Sequence, residues 1–217
     1  MTGKPESKPD AAVAAGTGGE EGRPVEVIIE DERWEGLGIA ALAGRAAEAT
    51  LGHLGLDAAR LSLSLLATTD ARIARLNRDF RGKDSPTNVL SWPSVERRAA
   101  QPGMMPAPPA ADEEELGDIA LAWETCLREA REGGIAPAAH VTHLVVHGLL
   151  HLLGYDHEHD ADAMLMEGLE TAILAELGIA DPYGIEAEAA RPAIGGGGKR
   201  AARNMEGADG QRRSGAV

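Results

Sequence analysis

Residues 137–157 read PAAHVTHLVVHGLLHLLGYDH, and this stretch decides most of the fold around it. Pro137 suits a first helical turn, where its missing N–H costs nothing. The spacing predicts a helix over 137–153. His147 and His151 lie four residues apart, so on that helix their side chains share one face, one turn from each other. Gly154 supplies the end, since glycine accepts the left-handed backbone that closes helices. His157 follows three residues later, where the chain can return over the same spot. The pattern H-x3-H-x2-G-x2-H therefore brings three imidazoles toward one cation.

The chemistry of that pattern is a metal centre. Three neutral imidazoles with an open position describe a catalytic zinc site better than a structural one, which a fourth protein ligand would close. A water held there would have its pKa lowered to about 7. The ligand and glycine spacing equals that of the metzincin proteases, but Gly148 stands where those enzymes carry their general-base glutamate. A peptidase of that mechanism is disfavoured. The residues alone leave two further readings open: histidines merely packed in a helix, or a purely structural metal. The ion expected is one divalent cation per chain, zinc by ligand type, although nickel, copper and iron also accept imidazole. His143 lies one turn before His147 on the same face, as a supporting partner, a substrate contact or a solvated residue.

Outward from the histidines, GDIALAW (117–123) reads as a strand and a helix follows over about 124–132. VEVIIED (25–31), LSLSLLA (61–67) and VLSWP (89–93) read as the other strands. A helix is expected from about Gly38 to Leu54. Another is expected through LNRDF, with Asp70 as its cap and Ala71 in its first turn. A last amphipathic helix covers roughly 160–178. Residues 99–115, Pro- and Ala-rich with an acidic end, form a loop long enough to be mobile. Strands and helices mix without regular βαβ alternation, so the expected class is α+β, a single small domain with a mixed sheet of about four strands covered by helices. Residues 1–23 and 185–217 lack apolar periodicity and are expected to be disordered tails around a 24–184 domain.

The formal net charge of −14 argues against non-specific attraction to nucleic acid, without excluding a local basic cleft. The segment after Arg191 is locally basic. With 3% aromatic residues, aliphatic side chains must fill the core. No apolar run approaches the roughly 20 residues of a membrane span, and the N-terminus lacks the pattern of a secretory signal. The single cysteine, Cys126, excludes an internal disulfide and fits a reducing, cytoplasmic setting; it reads as a small buried residue.

HGLLHLLGYDH (147–157), with LNRDFRGKDSPTNVLSWP (76–93) and LGDIALAW (116–123), resembles the YbeY family of bacterial rRNA maturation factors. MEGLETAILAELGIADPYG (166–184) is similar to the family's terminal feature. The resemblance spans about residues 25–184; Trp92 stands where phenylalanine is commoner, and 99–115 looks like an insertion. It implies a small α+β domain and a metal-dependent, single-strand-specific endoribonuclease. That enzyme would mature the 3′ end of small-subunit (16S) rRNA and act in ribosome quality control. The rRNA of the small subunit and ribosome-assembly proteins are the implied partners, with no membrane and no DNA. The family's metal-binding histidines fall on His147, His151 and His157, and its functionally important arginine on Arg81. A guanidinium there could hold two phosphate oxygens and stabilise developing charge. Lys83 and Arg78 could line the same cleft. Asn88 and Ser91 could orient groups by hydrogen bonding, and Asp156 could accept an imidazole N–H. A ribosome-assembly protein whose metal mainly holds the fold is the alternative.

Overall fold

In the computed structural model, residues 24–184 are described. The tails expected to be disordered lie outside the described residues. Strand β1 (Val25–Ile29) leads to the short helix α1 (Arg33–Leu37) and to α2 (Ile39–His53). Strand β2 (Ser62–Thr68), helix α3 (Asp70–Arg81), strand β3 (Val89–Pro93) and strand β4 (Glu115–Ala122) follow. Helices α4 (Trp123–Glu132), α5 (Pro137–Leu152) and α6 (Asp160–Glu176) complete the domain.

The four strands form one mixed sheet in the order β1-β2-β4-β3. β1, β2 and β4 run parallel, with Val27 beside Leu65 and Leu65 beside Ile119, while β3 runs antiparallel to β4, with Ser91 beside Ile119. β4 is central and its residues Ile119–Ala122 are all buried, as a strand covered on both faces requires. Its alternation divides the core. Ile119 and Leu121 face the larger cluster with α2 and α5, whereas Ala120 and Ala122 join Ile73 of α3 and Leu90 of β3 on the other face. The few aromatic residues are used sparingly: buried Trp34 donates its indole N–H to the Thr68 carbonyl at 2.9 Å and meets Trp123 edge-on.

Two local expectations are corrected. Asp70 is not the cap of α3. Thr69 holds the extended N-cap position and its hydroxyl accepts from the Arg72 N–H at 3.4 Å, so Asp70 falls in the first turn. There its carboxylate is free to accept from the N–H and hydroxyl of Thr125, tying α3 to α4 at 2.9 and 2.8 Å. Helix α1 was not expected. Five residues carry too little periodicity to signal a helix, yet Gly38, at φ 74°, ends α1 and turns the chain into α2. The long loop before β4 is tied down at several points. Arg97 pairs with Glu113, the Gly103 N–H donates to Asp162 at 2.7 Å, and Arg60 donates to the Ala110 carbonyl at 3.0 Å.

Candidate metal centre

α5 packs on β3 and β4, and His147 and His151 of its second half line a cleft beside β3. Gly148 permits this approach: a Cβ there would lie 3.0 Å from Ile119 Cδ1 and 3.1 Å from Ser91 Oγ. A side chain there would be tight, and Ile119 and Ser91 would have to give by a few tenths of an ångström.

α5 ends in a left-handed glycine closure. The Gly154 N–H donates to His151 O and the Tyr155 N–H to Leu150 O, both at 3.0 Å, with Gly154 at φ 91°. The chain then doubles back along the last turn of the helix. His157 comes within 5.4 Å of His147 and 5.1 Å of His151, centroid to centroid, while those two rings stand 4.5 Å apart. One ring nitrogen from each histidine lies within 4.8 Å of the others. His147 Nε2 and His151 Nε2 face one another at 3.1 Å. Two ligands on one tetrahedral zinc, with bonds of about 2.0 Å, stand about 3.3 Å apart. The donor set and its spacing therefore fit a single divalent ion.

The protonation states fit as well. His151 Nδ1 sits 3.0 Å from the Tyr155 carbonyl, which can only accept, so the ring carries its proton on Nδ1 and presents Nε2 as a lone pair. Burial, then the neighbouring His147 and His157, pushes His151 down to about 4, so it is neutral near pH 7, as a ligand must be.

Behind His147 lies a residue that sequence reasoning missed. Glu170 of α6, 1% exposed, places Oε1 2.8 Å from His147 Nδ1 and Oε2 2.6 Å from His143 Nε2. The Tyr183 hydroxyl also donates to Oε2. Burial alone would raise this carboxyl, but the hydrogen bonds from His143 and His147 outweigh it and hold Glu170 at about 2. Tyr183 is in turn pushed up, by burial and then by Glu170. The signal that could have found Glu170 is its place in MEGLET, a charged residue on a helix that otherwise buries Met166, Ile173 and Leu174.

The remaining expected residues divide. The three histidines line an open cleft of about 500 Å³ together with Asn88, Ser91, Arg98 and Asp156. Asp156 does not accept from an imidazole; its carboxylate accepts from the His157 main-chain N–H at 2.7 Å and so shapes the ligand loop. Asn88 lines the cleft, but its amide donates to Glu129 at 2.9 Å and its oxygen accepts from the Val89 N–H at 2.7 Å. Lys83 is exposed after the Gly82 turn and, like Arg78, is not among the cleft-lining residues; Arg78 pairs with Asp84 at 3.0 Å. Arg81 closes α3, and its side chain lies outside those described. The cations that do line the cleft among the described residues are Arg97 and Arg98. Arg97 is committed to Glu113 and to the Val95 and Leu152 carbonyls, whereas Arg98 is exposed on the cleft wall. Among the described residues no single helix is long and apolar enough to cross a membrane.

The family model described as endoribonuclease YbeY matches residues 29–178. A protein of Cereibacter sphaeroides named endoribonuclease YbeY is 58% identical over 163 residues, covering 73% of this chain and 98% of that protein. A protein of the same name from a Jannaschia species is 56% identical over 161 residues, covering 73% and 99%. The solution structure of a Thermotoga maritima protein, 23% identical, aligns with a TM-score of 0.48 over 81% of this chain and 99% of that one.

Proposed function

The chain belongs to the endoribonuclease YbeY family, and from that premise we propose that it is a metal-dependent endoribonuclease acting on single-stranded RNA. Its physiological task on this reading is late maturation of the 3′ end of small-subunit (16S) rRNA and ribosome quality control, in the cytoplasm. The 24–184 domain carries the activity, and the ribosomal small subunit with its assembly proteins supplies the partners. The observation that carries the proposal is the convergence of His147, His151 and His157, whose ring nitrogens lie within 4.8 Å of one another in an open cleft of about 500 Å³.

Each residue has a task in that scheme. His147, His151 and His157 hold one divalent ion, zinc by ligand type. Bound there, the ion supplies Lewis acidity toward a phosphate oxygen and makes water more acidic. The Tyr155 carbonyl keeps His151 oriented, and Asp156 holds the main chain beneath His157. Arg81 is assigned the phosphate: its guanidinium holds two nonbridging oxygens and stabilises the charge that develops on them. That assignment rests on the resemblance of 76–93 to the family motif. Arg98 on the cleft wall adds a local positive charge where the chain as a whole is acidic. A peptidase role is disfavoured because Gly148 stands where the metzincin general-base glutamate would be.

The test is cleavage of a single-stranded RNA and of its duplex by the purified full chain, His151→Ala and Arg81→Ala. Wild type cuts the single strand and spares the duplex. His151→Ala loses cleavage, and Arg81→Ala falls by about 100-fold with metal retained, the order expected for one charge-stabilising donor. Equal cleavage by all three proteins would remove both assignments. A protein that unfolds on chelation and cuts nothing when reloaded would support the assembly-factor alternative.

A further inference from the structure

Glu170 is the one buried carboxylate among the described residues. A carboxylate out of water is costly unless its oxygens receive hydrogen bonds. Here they receive three, from the rings of His147 and His143 and from the Tyr183 hydroxyl. His143, Glu170 and His147 also form a group whose ligand atoms all lie within 4.8 Å, which a second cation could in principle share. The distances decide against it. Two ligands bound at about 2.0–2.2 Å to one ion stand about 3 Å or more apart. The Glu170 contacts, at 2.6 and 2.8 Å, are hydrogen-bond separations.

We infer that Glu170 is the positioning residue of the metal centre: by accepting the Nδ1–H of His147 it fixes that ring with Nε2 as the metal donor, and His143 and Tyr183 hold the carboxylate in place. An ionised carboxylate only accepts, so both rings must donate to it. His147 then carries a proton on Nδ1 and His143 one on Nε2, so two histidines of one helix present opposite ring nitrogens to the same carboxylate. The His147 lone pair consequently points at His151 Nε2, 3.1 Å away, and both are turned toward the point where His157 arrives. The ligand triad comes from one helix and the loop after it. Glu170 extends it to α6, so the packing of α6 on α5 becomes part of the metal affinity. The inference rests on the reading of His147, His151 and His157 as a metal site, not on RNA cleavage.

Two measurements on the full, untagged chain test it. The first is the tautomer of each histidine in the zinc-free wild type, from long-range ¹H–¹⁵N correlation spectra. His147 is expected as Nδ1–H and His143 as Nε2–H. The second is zinc affinity and stoichiometry by competition with a chromophoric chelator. One zinc per chain is expected in wild type, with affinity 10–100-fold weaker in Glu170→Ala, as for other partners of metal-bound histidines. Glu170→Gln keeps an acceptor for His147 and should recover part of that loss. His147 protonated on Nε2, a second zinc lost with His143→Ala, or unchanged affinity in folded Glu170→Ala each overturns the inference. If Glu170→Ala does not fold, the wild-type tautomers decide alone. A wild type that binds no zinc would overturn the metal centre and this inference together.

Discussion

Gly154→Ala separates two demands that the ligand loop makes on one residue, and Gly178→Ala is its matched control. Both glycines follow a helix in the same closure: Gly154 N–H to His151 O with Tyr155 N–H to Leu150 O, and Gly178 N–H to Ala175 O with Ile179 N–H to Leu174 O. Both have positive φ, 91° and 72°. A Cβ in that region costs about 1–2 kcal/mol at either site. They differ in what the Cβ meets. At Gly178 nothing lies within 4 Å, whereas at Gly154 the Cβ would sit 1.8 Å from the Arg97 carbonyl oxygen and 2.7 Å from its carbon. Real contacts of this kind exceed 3.0 Å, so the two backbones must part by at least 1.2 Å. Arg97 cannot yield easily, because its side chain is held by Glu113 and the Leu152 carbonyl. Overpacking of this kind adds about 1–3 kcal/mol. Gly154→Ala is therefore expected to cost about 2–5 kcal/mol and Gly178→Ala about 1–2 kcal/mol. Urea unfolding followed by circular dichroism measures both, with equal slopes required for the comparison. Zinc affinity should fall with Gly154→Ala alone, since the shifted loop carries His157 and the carbonyl that orients His151. Stabilities of the two variants within 1 kcal/mol of each other would refute the close approach as the reason for this glycine.

Glu113→Ala leaves the Arg97 guanidinium, 5% exposed, without its carboxylate. Losing a fully buried partner costs about 3–5 kcal/mol, and the partial exposure of Glu113 reduces the expectation to about 2 kcal/mol; chemical denaturation checks it, and a neutral effect would contradict the anchoring role. Cys126 is buried and its thiol is pushed up to about 12 by burial and then by Glu129. At pH 8 about one thiol in 10⁴ is thiolate, so an aromatic disulfide reagent should label Cys126 only after unfolding; prompt labelling of the folded chain would contradict the packing. Gly148→Glu puts a Cβ 3.0 Å from Ile119 Cδ1 and 3.1 Å from Ser91 Oγ and adds a long charged side chain beside the core. It should destabilise the protein by about 3 kcal/mol or more without creating peptidase activity, and a stable variant that cleaves peptides would overturn the reading of that position.

The clustering of the three histidines was legible because helical spacing, a helix-ending glycine and a third histidine are all local features, and α5 with its closure brings the three rings together. Strand positions followed from alternating and continuous apolar runs, yet the order β1-β2-β4-β3 did not, because strand neighbours are chosen by packing across the whole chain. Glu170 stayed hidden for the same reason. An acidic residue on a helix usually faces water, and only the docking of α6 on α5 brings it behind His147. Asp156 was the local choice for that role, but a residue adjacent to His157 reaches the main-chain N–H more readily than a ring of α5. Asp70 yielded the cap to Thr69 because Thr125 offered its carboxylate two donors from another helix. Of the cations sought in 78–83, Arg78 and Lys83 stand outside the cleft lining and the Arg81 side chain lies outside those described, while Arg97 and Arg98, from the segment after β3, line it.

On the proposed reading the three-histidine centre serves RNA cleavage rather than only holding the fold. This role is tested most directly by following single-stranded RNA cleavage while the metal is stripped from the full chain by a chelator and then restored, with circular dichroism recorded at each step. Cleavage should disappear and return with one equivalent of zinc per chain while the spectrum stays that of the folded protein. Cleavage that continues undiminished in the metal-free protein would contradict it.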